Sequence, residues 1–423
     1  MTSQTDATVA VVQKGSSRMT SQQATLTAMA ALTITALAAC APAPAHTPVP
    51  GSSVAAHGYV AGATETGEAQ SLLPYLSAAN GTVTMVDPLS GEESFSASLP
   101  GASSMADDGR YLFVHTATTG KLHIIDTGAW TVEHGDHKHF YRTAARQLAG
   151  DLSLGAGSVA GDGHHVAIFE EQTGKTSLLS REDLDSGEIK VAATIPGPPH
   201  RGLAVPYKGH VLITGSPGPD KLPTTISAFD SAGGDEKALA TTCPSLMGHA
   251  STRHGVVFGC SDGVLVVNDD DGSLTSTKIP YPSPAERITA FDHRPGSSEL
   301  VSLAGAAGLW HLDVASAKLQ FMASPEPLAA STTAGNGSAA LGVGRSGTLY
   351  AFNTLTGTVE SQQKILPESE EGAPPSLLVD ATRAYLSHPA TQTIHEIDYR
   401  DKLRVARTFA TSGATSQLAE TGL

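Results

Sequence analysis

From residue 75 to residue 401 the chain repeats one short phrase: an apolar run, a glycine-containing turn, then an alternating run closed by Asp or a similar residue. The clearest copies are RYLFVHTATTGKLHIIDTG (110–128), GVVFGCSDGVLVVNDDDG (255–272), ELVSLAGAAGLWHLDVAS (299–316), AALGVGRSGTLYAFNTLTG (339–357) and AYLSHPATQTIHEIDYRD (384–401). YLSAANGTVTMVDPLSG (75–91) is the first copy, and HVAIFEEQTGKTSLLSRED (165–183) and HVLITGSPG through TISAFD (210–230) are less regular ones. Period-two alternation around turn residues marks each as a β-hairpin. A unit of roughly 40 residues holds four short strands and cannot bury its own faces, so such copies stack around a ring. The expectation is an all-β fold, a β-propeller of about eight four-stranded blades, with seven the alternative because the irregular third and fourth copies carry insertions. The first copy lacks a preceding inner strand, which the C-terminal TSQLAETGL can supply, closing the ring. A β-sandwich with a second domain fits the strand content but not the sustained period.

Residues 1–39 read as a lipoprotein-type signal peptide. Lys14 and Arg18 precede an uncharged stretch, Ala24 to Ala39, shorter than the roughly 20 residues a membrane span needs; Met19 could equally be the start. The stretch ends Leu37-Ala38-Ala39-Cys40, similar to the bacterial lipobox, in which cleavage leaves Cys40 as a lipidated first residue. Residues 40–70 are then the lipidated Cys and a Pro-rich tether, APAPAHTPVPG being extended and semi-rigid, and 71–423 the propeller. This places the protein extracytoplasmically, lipid-anchored to the outer side of the cell membrane, and a monomer is expected. After cleavage 24 basic side chains face 40 acidic ones, a net charge of −16. Such a surface repels nucleic acid and draws cations. Cys243 and Cys260 remain as an even pair, which in an exported protein favours a disulfide worth about 3 kcal/mol. The rival, a zinc thiolate pair, would more usually show C-x2-4-C spacing.

The chemistry concentrates in EHGDHKHFY (133–141), three histidines and two carboxylates before the aromatic pair. Imidazole and carboxylate are ligands of borderline divalent metals, zinc above all, and H-x-H in an extended segment turns both rings to one side. Eleven of the 17 histidines fall between residues 115 and 254, so the fold must sort them. His115 and His388 end second strands of their blades, His200 and His249 open inner strands, and 133–141 reads as a connection between an outer strand and the next inner strand. All are therefore expected at one mouth of the channel, while His164, His165, His210, His254 and His293 fall in turns of the opposite face.

EHGDHKHFY, PHRGLAVPYKGHVLITG and TCPSLMGHASTRHGVVFGCSDGVLVV, in this order, resemble the AztD family of zinc metallochaperones, exported propellers that pass zinc to the solute-binding protein of a zinc ABC importer. The resemblance spans roughly residues 75 to 410 and is specific in these three segments. It implies zinc as the metal and such a solute-binding protein as the partner. It also implies a metal role for His134, Asp136, His137, His139 and His200, and a Cys243–Cys260 disulfide. The chain departs from the family where Met247-Gly248-His249 stands in place of His-Gly-Glu, and where LSLGAGS lacks a histidine. With His115 and His249 added from the blade register, these residues form the candidate metal set.

Catalysis is not expected. Gly259-Cys260-Ser261-Asp262-Gly263 matches the hydrolase elbow G-x-S-x-G, but that motif needs a strand-turn-helix and here lies in a hairpin. Asn268-Asp269-Asp270-Asp271-Gly272 fails calcium-loop spacing. Glu133, Glu170 or Glu171 could act as a base beside a catalytic zinc, yet nothing assigns a substrate. The alternative to zinc carriage is a cell-surface interaction or scaffold propeller with incidental histidines.

Overall fold

In the strand Gly255–Cys260 every residue is buried, and alternate side chains serve different neighbours. Val256, Phe258 and Cys260 join Val205 and Leu212 in one core cluster, while Val257 joins Leu300, Trp310 and Leu312 in another. A strand buried on both faces is what stacked sheets require, and each such Val or Phe contributes about 1.5–3 kcal/mol by leaving water. The same pattern runs round the molecule. The computed structural model describes residues 58–133, 137–282, 286–368 and 374–423, all within the compact unit Ala55–Leu423. The expected signal peptide and Cys40 lie outside the described residues.

Among the described residues eight antiparallel sheets form successive blades, beside a ninth, three-stranded sheet described below. Blade 1 is Leu73–Ser77, Thr82–Val86 and Glu93–Ser98, and its innermost strand is the C-terminal Gln417–Leu418, pairing Tyr75 with Leu418. The inner strands of blades 2 to 5 are Ala102–Asp107, Gly157–Gly161, Ala204–Tyr207 and Met247–Thr252. Blade 6 has three strands from Glu299, its inner strand reduced to a bridge between Asp292 and Val301. Blades 7 and 8 start at Leu328 and Ser376. The eight-bladed propeller closed by the C-terminal strand is thus the fold. Gly259–Gly263 lies in a strand-turn-strand, and 268–272 forms a hairpin turn in which Asp271 and Gly272 take positive φ. Cys243 and Cys260 form the disulfide, both fully buried beside blade 4.

Two placements differ from expectation. The third strand of blade 2 is Lys121–Asp126, and its outer strand comes in two pieces, Arg146–Gln147 and Leu152–Ser153, both paired to it. Between them, Ala129–Glu133 and Lys138–Arg142 form an extra hairpin. The segment 133–141 is therefore a connection from third to outer strand, which shares its face with the turns between first and second strands, not with the outer-to-inner connections. The second placement falls within the segment 40–70. Thr64–Thr66 is a strand paired with Lys138–Arg142, because its alternating Thr-Glu-Thr fits the open edge of the hairpin.

Candidate metal centre

The hairpin is rooted in the propeller by its first residues. Ala129 and Trp130 are buried, the Trp130 indole N–H donates to the carbonyl of Gly58 at 3.0 Å, and the Thr131 hydroxyl donates to Gly422 O at 3.1 Å. Register then decides the rest. Trp130 opposes Tyr141, Val132 opposes His139, and on the other side Glu65 opposes Tyr141. Because side chains alternate, His139 and Tyr141 share one face of this three-stranded sheet, with Glu65 directly across from Tyr141 and diagonal to His139. Burial and the nearby Glu65 carboxylate push the Tyr141 phenol above its usual range, so it stays neutral at physiological pH.

On that face the His137 and His139 rings lie 4.8 Å apart, edge to face, and their Nε2 atoms approach to 3.1 Å. Two imidazole nitrogens sharing a tetrahedral zinc at the usual bond length are about 3.3 Å apart, so this pair converges as a metal pair does. Glu65 Oε1 sits 2.6 Å from His139 Nδ1. A carboxylate accepts there, so Nδ1 carries a proton, and Nε2, on the side of His137, is the nitrogen a metal would take. A carboxylate behind an imidazole is the device that fixes a ligating histidine's tautomer and raises its basicity. Glu133 and Lys138, at the neck of the loop, pair at 3.6 Å.

His134 and Asp136, the other two candidates of the run, lie outside the described residues. Of the remaining candidates, His115 and His200 are at the opposite end of the blades, while His249 lies within the inner strand Met247–Thr252, opposite Phe258. His115 places Nε2 3.0 Å from the carbonyl of Leu154 and Nδ1 3.4 Å from the Ser103 hydroxyl. His200 is 2% exposed, with Nδ1 2.8 Å from Pro198 O, Nε2 3.1 Å from the Thr214 hydroxyl and its ring edge-on to Phe169. Gly202 stands so close that a Cβ there would lie 2.3 Å from His200 Nε2. Burial, with His293 nearby, lowers His249 to about 4, so it is neutral at physiological pH. The expectation of a single mouth holding 133–141, His115, His200, His249 and His388 is thereby corrected. The hairpin lies on the face of His164 and His165, whose backbone amides are tied to Asp162 in a turn of blade 3. Among the described residues no group of three or more His, Cys, Asp or Glu converges on one point.

Glu65 is the neighbour of the histidine pair that sequence reasoning missed. It stands about 70 positions from the histidines, and a single Glu between two threonines carries no motif.

Fold and hairpin together define a class: an eight-bladed propeller with a histidine pair on an inserted hairpin. No family model matches the chain. It is similar to the zinc chaperone AztD of Citrobacter koseri, 24% identical over 217 residues that cover 47% of this chain and 48% of that protein. The match spans about half the length of that relative. Among solved structures it resembles apo AztD from Citrobacter koseri, with TM-score 0.74 and 17% identity over 84% of this chain and 98% of that one. A second Citrobacter koseri AztD structure gives 0.73 and 18% over the same shares. The dihydro-heme d1 dehydrogenase NirN is more distant, with TM-score 0.56 and 14% identity over 83% of this chain and 75% of that one. The resemblance to the AztD type holds in sequence and in fold.

Proposed function

We propose that this protein is an extracytoplasmic zinc carrier, in which the 133–141 hairpin holds the ion and yields it by ligand exchange to the solute-binding protein of an ABC-type zinc importer. One observation carries the reading: the His137 and His139 Nε2 atoms converge at 3.1 Å while the Glu65 carboxylate backs His139 Nδ1 at 2.6 Å. His134 and Asp136 are the further donors that the sequence offers, and zinc is cargo, not a resident cofactor. The similarity to a protein named as a zinc chaperone supports the same reading. The lipobox-like Leu37-Ala38-Ala39-Cys40 supports a lipid anchor, which would hold carrier and recipient on one membrane and raise their effective concentration. A hairpin tip suits a carrier, because an incoming protein can reach its donors from the side without opening the propeller.

The test is chelator competition on metal-free mature protein, followed by transfer to the recipient. About one zinc should bind per chain, and His137→Ala or His139→Ala should weaken it. Transfer should rise with recipient concentration and outrun spontaneous dissociation. Protein that takes up no zinc would leave the scaffold reading, and a transfer rate equal to the off-rate would leave a zinc store.

A further inference from the structure

We propose that Arg110 is a positioning residue for the zinc ligands, acting through a stack of flat side chains that runs from the propeller body into the hairpin. The inference rests on the zinc reading of that hairpin. Arg110 lies in the turn between the first two strands of blade 2 and is 2% exposed. Its Nε and Nη2 donate to the two carboxylate oxygens of Asp126 at 2.9 and 3.0 Å. Its Nη1 donates to Asp185 at 2.9 Å, and the Tyr111 hydroxyl donates to the same oxygen at 2.8 Å. Held on three sides, the guanidinium plane cannot turn, and it lies 3.6 Å from the centre of the Trp130 ring.

From there the orientation is handed along. Trp130 stacks on Tyr141 with centroids 5.3 Å apart and planes 26° apart. Tyr141 stacks on His139 at 6.2 Å and 16°, and His139 meets His137 edge to face. A histidine on an exposed hairpin gives up side-chain freedom when it binds metal, and a ring already held at the ligating angle gives up less. Glu65 sets which nitrogen of His139 carries the lone pair; the stack sets where that lone pair points. Lysine cannot replace Arg110 in this role, since an ammonium is a point charge with neither the fork nor the plane.

The experiment measures zinc affinity of the full mature chain by chelator competition, thermal stability, and indole emission with and without zinc. Trp130 and Trp310 are the two indoles, and Trp310 is buried in blade 6, where it donates to Glu286 O. Zinc should change the emission of the wild-type protein, and Trp130→Phe should abolish that change. Tyr141→Phe, which keeps the ring, should bind zinc within about two-fold of wild type. Tyr141→Ala and Arg110→Lys should each lose about ten-fold, the scale at which supports of metal ligands act. If Arg110→Lys does not fold, Tyr141→Ala against Tyr141→Phe decides. Unchanged zinc affinity in Tyr141→Ala, even with a lower melting temperature, would overturn the proposal and leave the stack a structural prop. Wild-type protein that binds no zinc would instead overturn the zinc reading and this proposal with it.

Discussion

Replacing Glu65 asks whether the geometry at the hairpin is built for metal. Its carboxylate reaches His139 Nδ1 at 2.6 Å from a side chain that is half exposed, beside a histidine that is 21% exposed. Losing the carboxylate behind a ligating histidine costs between about ten-fold and a hundred-fold in metal affinity. Exposure selects the lower end, because water can take the vacated place and screens what charge effect remains. Glu65→Ala should therefore weaken zinc about ten-fold, or about 1.4 kcal/mol. Glu65→Gln, which keeps an acceptor without its charge, should lose roughly half of that free energy, about three-fold. The assay is competition against a chelator of known affinity, with nitrogen chemical shifts of His139 reporting the tautomer of the metal-free protein. In both variants the protonated fraction at Nε2 should rise. Zinc and protons compete for the same lone pairs, so affinity should also fall as the pH is lowered. Unchanged affinity in Glu65→Ala, with His139 still protonated on Nδ1, would show that the carboxylate does not set the ligand.

Three further outcomes are expected. Burial, and after it Asp380 with Asp107 against the opposing hydrogen bond from Ser71, pushes the Glu420 carboxyl up to about 8. A folded-state value above the unfolded 4.5 means its stabilisation is complete below that pH and is lost as pH rises through 8. Glu420→Gln should then raise stability by on the order of 4 kcal/mol at pH 9 and barely change it at pH 4.5, and an equal gain in thermal melts at both would refute the assignment. Replacing Cys243 and Cys260 together by Ser should cost about 3 kcal/mol in denaturant unfolding. Zinc affinity should not change, because the bond belongs to the core beside blade 4. His115→Ala and His200→Ala should leave zinc binding intact, since those rings stand at the other end of the blades. His200→Ala should also lower thermal stability by about 1–3 kcal/mol by stranding the Pro198 carbonyl. Weaker zinc binding in either variant would return these histidines to the site.

The ring and its closure were legible because they depend on a pattern that every blade repeats. Stacked sheets need alternating burial, so Val256, Val257 and Phe258 announce a doubly covered strand from sequence alone. The closing strand was inferred from what blade 1 lacked, and the pairing of Tyr75 with Leu418 supplies it. The face of the histidine run was misjudged for a related reason. A hairpin inserted after a third strand alternates just as an outer strand does, and here the true outer strand is two residues, a gap and two more. Counting strands without their partners therefore shifts the register by one position, and in a propeller one position exchanges the two faces. Edge strands carry the weakest pattern in any sheet, having one neighbour to pack against instead of two.

The site divides along the same physical line. His137 and His139 could be read in advance because a local rule, one residue between two ligands on a strand, makes their rings share a side. His200 could not be distinguished from them by composition. Only its surroundings, a carbonyl, a hydroxyl and a glycine that must remain a glycine, mark it as a satisfied core histidine. Glu65 and Arg110 reach the hairpin by different routes, one by strand pairing and the other from a turn of blade 2. Neither relation leaves a spacing in the sequence. What a metal demands of its nearest donors is local and chemical, and so is written in neighbouring residues; what fixes those donors in tautomer and angle is tertiary, and becomes visible only when the chain has been folded back on itself.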